Sequence, residues 1–322
     1  MKLSSFLQMK PNVFICEKLG WRVALFYIMM LGKLYFFLKE EEKRKIIEAV
    51  EYVFGNMKEK QEVQELSRKV LKGIIAHYYE KFYNAYEDTS GLSSFMEKSI
   101  EAPSLDKLDR ALSGGKGVLF VTGHYGGIEY IPIYLALKGY SVSVVMKFAT
   151  QQLRETSYAR ADALGLRVVE ANQNSRVLLT VVRELKKNRI VFIECDEIDE
   201  WKPSRKEKIS FLGKIVGVDR TINLIHKRSG AEVILGLLHR HSFKRYALMI
   251  EDYNDMLKRL GGRASSVGQA IIKCFEQYVY EGPEQWYQWK KYAGLGGVQD
   301  PAFLHEENKS PSLLRPACVA RA

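Results

Sequence analysis

One histidine in this chain stands in a setting suited to proton transfer. His124 occurs in the run Val121-Thr122-Gly123-His124-Tyr125-Gly126-Gly127-Ile128-Glu129, directly after the apolar stretch GVLFVT and five residues before a carboxylate. An imidazole at the end of a strand, with a carboxylate within reach, is what a general base needs: the carboxylate fixes the tautomer and stabilises the imidazolium that forms as the proton is taken. Gly123, Gly126 and Gly127 would let the backbone turn tightly and let a substrate approach closely. The bland reading of the same residues is a polar turn with a chance carboxylate nearby. A second acidic candidate, Asp196, ends the apolar run IVFIE-C-D. If the strands before His124 and Asp196 are parallel neighbours, Asp196 is either a second partner of the imidazole or an ordinary loop carboxylate.

Other chemistries lack their signatures. The chain has no G-x-S-x-G elbow, no Walker loop, no G-x-G-x-x-G after a strand and no H-E-x-x-H, so neither a serine nucleophile nor a metal is called for. Its four cysteines, Cys16, Cys195, Cys274 and Cys318, form no CxxC pair, which argues for a reduced, cytosol-facing protein.

The elements that must position these residues show in the hydrophobic pattern. Short β-branched runs at Gly117–Thr122, Tyr140–Met146, Leu166–Glu170, Ile190–Glu194 and Val233–Leu238 alternate with helix-length amphipathic segments at Ile128–Leu137, Thr150–Leu164 and Ser175–Lys187. This alternation predicts an α/β fold with a mixed, largely parallel central sheet flanked by helices, in which reacting groups sit at the carboxyl ends of the strands. From Glu40 to Tyr86 the periodicity is helical with almost no Gly or Pro, giving two or three helices of an N-terminal layer. His77, inside the aromatic stripe Ile74 to Tyr83, reads as structural.

The segment ahead of these helices has a different character. Leu19 to Leu38 is about long enough to cross a bilayer, which takes roughly 20 apolar residues, but Arg22 and Lys33 interrupt it. A span with snorkelling charges, an interfacial anchor and a buried core helix all remain open. The net charge of +11 across 322 residues gives a surface attracted to something acidic, whether anionic lipid headgroups, an acidic carrier protein or nucleic acid, the bland reading for most of the lysines being a solvated cationic surface. The basic residues are dispersed without an RNA-binding signature, which argues against nucleic acid.

These residues carry a family resemblance. G-H-x4-E after an apolar strand resembles the H-x4-D/E motif of the lysophospholipid and glycerolipid acyltransferase superfamily, and the chain from roughly residue 40 to 292 resembles its lipid A biosynthesis acyltransferase branch. The companions are Lys147 after the next strand, Arg160 ahead of Gly165, Ile193-Glu194-Cys195-Asp196, Phe211-Leu212-Gly213, and Pro283-Glu284-Gln285-Trp286 with Trp289. Departures are Lys147 where arginine is usual, Asp196-Glu197-Ile198 in place of D-Q-D, and Lys290-Lys291 in place of a His-Arg pair.

The resemblance implies a membrane-associated acyltransferase that moves a fatty acyl group from an acyl thioester to a hydroxyl of a lipid A precursor-like acceptor. His124 would be the base, Glu129 its partner and Asp196 a second orienting carboxylate, with Arg160 and Lys147 binding substrate and no metal. No cofactor is expected beyond the co-substrate, acyl carrier protein or acyl-coenzyme A; the partners would be that donor, a membrane lipid acceptor and an anionic membrane surface. The location implied is the inner membrane with the catalytic domain facing the cytoplasm. The corresponding division is an anchor segment at 1–39, a helical layer at 40–113, the α/β acyltransferase domain at 114–295 and a disordered tail at 296–322. Alternative readings are a glycerolipid, lysophospholipid or phosphatidylinositol mannoside acyltransferase and, from another class, a non-catalytic membrane lipid- or carrier-binding protein.

Overall fold

The computed structural model describes residues 12, 14, 20–148, 151–171 and 177–295; the side chain of Arg22, residues Cys16 and Cys318, and the expected disordered tail lie outside the described residues. From residue 20 the described chain runs through helices α1 (Trp21–Leu38), α2 (Glu40–Phe54), α3 (Lys60–Tyr86) and α4 (Thr89–Ser99). Sequence supplies their ends. Three glutamates, Glu40 to Glu42, occupy the first turn of α2, where negative charge complements the unsatisfied N–H groups, and Glu59 with Glu62 forms a capping box at the start of α3.

The central sheet follows. Its strands are β1 (Ile100–Glu101), β2 (Val118–Thr122), β3 (Val142–Met146), β4 (Arg167–Glu170) and β5 (Ile190–Glu194). Between them lie helices α5 (Asp106–Ser113), α6 (Ile131–Leu137), α7 (Gln151–Ala163) and α8 (Val177–Lys186). A two-stranded hairpin, β6 (Pro203–Phe211) and β7 (Lys214–Asp219), leads to α9 (Arg220–Ser229), and the long antiparallel pair β8 (Glu232–Ser242) and β9 (Arg245–Asp252) completes the sheet. Helices α10 (Tyr253–Arg259), α11 (Val267–Glu281) and α12 (Trp289–Gly294) close the described chain. Strand order in the sheet is β1-β9-β8-β2-β5-β3-β4, parallel at every pairing except β8 with β9. The mixed, largely parallel α/β expectation therefore holds.

β2 is buried along its whole length, as its unbroken apolar run requires of a strand covered on both faces. Its Phe120 stacks on the register partner Phe192 of β5 with ring centroids 4.3 Å apart, and Gly236 on β8 leaves room for the Phe120 ring. The same register pairs Thr122 with Glu194, so the chain leaves both strands at the same level, two residues before His124 and Asp196.

Helix α1 buries Ala24, Ile28, Tyr35 and Phe36, with Gly32 set close against Ile75 of α3. Its opposite face carries Val23, Phe26, Met30, Leu34 and Phe37, all exposed and spaced at helical intervals. Among the described residues no helix is long and apolar enough to cross a membrane.

Candidate active site

The turn that carries His124 is built against the C-terminal PEQW segment. Gly126, at φ 52°, donates its N–H to the Gln285 carbonyl and accepts the close approach of the Leu238 carbonyl, where a Cβ would lie 2.0 Å away. The Cβ positions of Gly123 and Gly127 are filled by Phe275 and by Leu238 and Tyr246. These glycines make room for the protein's own packing rather than for a substrate. Gln285 clamps β8 by accepting from Arg240 N (3.2 Å) and donating to Arg240 O (3.1 Å), and Trp289 donates to the Pro283 carbonyl (2.9 Å).

At this turn His124 and Asp196 meet. The His124 ring donates from Nδ1 to Asp196 Oδ1 at 2.8 Å, while Asp196 Oδ2 accepts from the His124 backbone N–H (2.9 Å) and from Trp286 Nε1 (2.7 Å). Asp196 is fully buried, and His124 is 7% exposed. Burial disfavours the Asp196 carboxylate, but the His124 charge and the donors from His124 and Trp286 outweigh it and hold its pKa below the usual range. With Nδ1 committed to Asp196, Nε2 is the nitrogen that faces the other carboxylates of the site. It lies 3.5 Å from Glu194 Oε1 and 3.3 Å from Glu197 Oε1, and the edge of the Tyr287 ring packs on the imidazole. Burial pushes the His124 pKa down, yet the charges of Glu194 and Asp196 prevail and raise it to about 9.

Glu129 stands differently from the expectation. It lies in the short turn Ile128–Tyr130 that precedes α6, facing α3, where Lys81 Nζ is 3.1 Å and His77 Nε2 is 3.7 Å from its Oε1. Among the described residues it makes no ion pair with His124. His77 is buried and stacks on Tyr287 with ring centroids 3.7 Å apart, and burial depresses its pKa.

The two expected substrate-binding cations have protein partners. Arg160 donates to the carbonyls of Ala85 and Glu87 at the end of α3, and Lys147, at the end of β3, pairs with Glu200 at 2.6 Å on the surface. His124 Nε2, Glu194 and Glu197 converge closely enough to share a cation, although acidic groups at a site mouth commonly stand so without one. Sequence reasoning passed over Lys81, Tyr287 and Gln288, whose Nε2 lies 3.0 Å from His124 Nδ1 and donates to Glu197 Oε1 (3.2 Å), and it quoted Glu194 and Glu197 without a role. Glu194 and Glu197 flank Asp196 and were open to the same strand-end argument, whereas nothing local marks Lys81.

A hydroxyl placed at Nε2 could lose its proton there while Asp196 holds the ring, which is acid–base chemistry without a side-chain nucleophile. A family model described as bacterial lipid A biosynthesis acyltransferase matches residues 12–291. No curated protein matches the chain.

Proposed function

The chain belongs to the bacterial lipid A biosynthesis acyltransferase family, and from that premise we propose that His124, held by Asp196, is the general base for transfer of a fatty acyl group from an acyl thioester to a hydroxyl of a lipid A-like acceptor. The observation that carries this reading is the 2.8 Å contact from Nδ1 to a fully buried carboxylate, which leaves Nε2 as the face available to a substrate. The donor is a fatty acyl chain on acyl carrier protein or coenzyme A.

The acceptor oxygen attacks the thioester carbonyl carbon as Nε2 takes its proton. When the C–S bond breaks, the imidazolium returns that proton to the departing thiolate, so one histidine serves both halves of the reaction. Asp196 stabilises the positive ring between the two. In the resting protein the carboxylates around Nε2 favour the protonated ring, so the rate should climb with pH toward about 9.

The apolar stripe Val23-Phe26-Met30-Leu34-Phe37 supports a membrane-surface role for α1, in which the helix lies along the headgroup boundary with its outer face in the acyl region. This fits the chain's excess of basic residues, which attracts anionic headgroups.

The test is acyl transfer to a lipid A precursor by the purified protein in mixed micelles, with acyl carrier protein and coenzyme A thioesters compared. His124→Ala should abolish turnover; undiminished transfer by that variant would overturn the assignment of the base.

A further inference from the structure

An attack on a thioester places a negative charge on the former carbonyl oxygen, and beside Glu194 and Glu197 that charge needs a donor. The turn itself has none to spare between residues 124 and 127. His124 N–H goes to Asp196 (2.9 Å), Tyr125 N–H to the Gly123 carbonyl (2.6 Å), Gly126 N–H to Gln285 (2.8 Å) and Gly127 N–H to Leu238 (2.9 Å). The four N–H groups of the base's own turn are therefore not available as a backbone oxyanion hole, and a cationic side chain is the donor with the charge to offset the two carboxylates.

Four nearby cations are already committed. Arg240 is buried in a bidentate pair with Glu80, Arg160 caps α3, Lys147 is on the surface with Glu200, and Lys291 sits between the two carboxylates of Glu197 and Asp199. Lys81 differs. Its single ion-pair partner among the described residues is Glu129, its side chain keeps about a third of its surface open (30%), and it feels the charge of Glu194, the residue 3.5 Å from His124 Nε2. Lys81, Glu129, His77, Tyr287 and His124 form one continuous series of contacts: ion pair, ring edge to carboxylate, stacked rings and a perpendicular ring pair.

We propose that Lys81, positioned by Glu129, is a catalytic residue that receives the oxyanion of the tetrahedral intermediate. This deepens the His124 reading and rests on it. In the step, the acceptor O–H proton passes to Nε2, the new C–O bond forms, and the carbonyl π pair moves onto oxygen beside the Lys81 ammonium. On collapse the C=O reforms, the C–S pair leaves with sulfur, and the imidazolium proton goes to that thiolate, giving ester and free thiol. Glu129 acts only through Lys81 and is a positioning residue. The H-x4-E segment thus carries the base at its first residue and the partner of the cation at its last.

The experiment measures kcat and KM for both substrates, with an acyl-coenzyme A donor and a lipid A precursor acceptor, in Lys81→Met, Lys81→Arg, Glu129→Gln, the Lys81→Met/Glu129→Gln double variant and Lys291→Met. Near- and far-ultraviolet circular dichroism checks that each is folded. Removing an oxyanion donor costs about 10²–10³-fold in kcat, so Lys81→Met should lose that much with both KM values near wild type. Lys81→Arg should recover at least about tenfold of it, and the double variant should be no slower than Lys81→Met, because residues acting through one another are non-additive. The proposal is overturned if Lys81→Met retains kcat, if its loss lies in acceptor KM, if the two losses multiply in the double variant, or if kcat falls in Lys291→Met while Lys81→Met keeps it. His124→Ala in the same series separates the two readings: an active His124→Ala sinks the base assignment, whereas an inactive one beside a fully active Lys81→Met sinks only the oxyanion assignment.

Discussion

Asp196→Asn isolates the charge of the buried carboxylate with little change in shape. Asp196 accepts three hydrogen bonds, from His124 Nδ1 (2.8 Å), His124 N (2.9 Å) and Trp286 Nε1 (2.7 Å), and has no exposed surface. A hydrogen bond to a charged group is worth about 1.5–3 kcal/mol, or about 10- to 150-fold in rate if it is fully expressed in the transition state. An asparagine can also turn its NH2 toward Nδ1, which leaves the ring in the tautomer that cannot accept a proton at Nε2; a triad carboxylate changed in this way loses about 10⁴-fold. The high-pH rate should therefore fall by about 10²–10⁴-fold. The pH profile should move as well, and its direction is set by sign. An anion raises the pKa of an imidazolium, so removing it lowers the His124 pKa from about 9 and carries the acid limb to lower pH. Even at the dielectric of water a charge at this range contributes about 1.5 kcal/mol, or about one pH unit, and a buried charge contributes more. Initial rates of acyl transfer from about pH 6 to about pH 10 read both effects at once. A high-pH rate within about threefold of wild type, or an acid limb that stays in place, would refute the reasoning.

Glu194→Gln should also shift the acid limb downward, by about one unit or less because Glu194 is partly exposed and screened, and should raise the rate at neutral pH; a limb that moves upward in the rate profile would contradict the electrostatic account. Gly73→Ala should destabilise the fold by about 1–3 kcal/mol or more, because the new Cβ would lie 1.9 Å from the Glu284 carbonyl oxygen in the PEQW segment; an unchanged urea midpoint would show that this contact yields. Arg240→Met should cost about 3–5 kcal/mol by leaving Glu80 buried and unpaired, and Arg240→Met/Glu80→Met should recover much of that loss, since Glu80 otherwise keeps only Tyr246 as a hydrogen-bonding partner among the described residues. Urea unfolding of the two variants decides it.

The parts of this fold that were legible in sequence are those whose signal is local and uninterrupted. GVLFVT and IVFIE are strands whose apolar stretches, Val118–Val121 and Ile190–Phe192, are buried without a polar interruption, as coverage on both faces demands. The hairpin β6–β7 escaped notice because Arg205 to Lys208 break its alternation with charge, while its turn, Leu212 and Gly213 at positive φ, carries no Asn-Gly or Asp-Gly signal. α9 escaped because only Ile222 and Ile225 mark its buried face.

At the site the division is between register and spacing. Asp196 could be reached from sequence because two parallel neighbours ending in step bring corresponding residues together, and the pairing of Thr122 with Glu194 does this for His124 and Asp196. Glu129 could not be placed by counting. Five residues separate it from His124, but the intervening chain leaves a strand, turns at Gly126 with φ 52° and enters a short 3₁₀ turn, so linear closeness fixes no direction for the side chain. Its direction is set instead by α3, which presents Lys81 and His77 from more than forty residues upstream. The same holds for Gln285 and Trp286: each could be read as part of a motif, while their partners, the backbone of Arg240 and the carboxylate of Asp196, lie on separate elements that meet only when the sheet closes. A motif of this type names residues that must be present together and leaves open which of them touch. For the base, its anchor and the cation nearby, that second question is the one on which the chemistry turns.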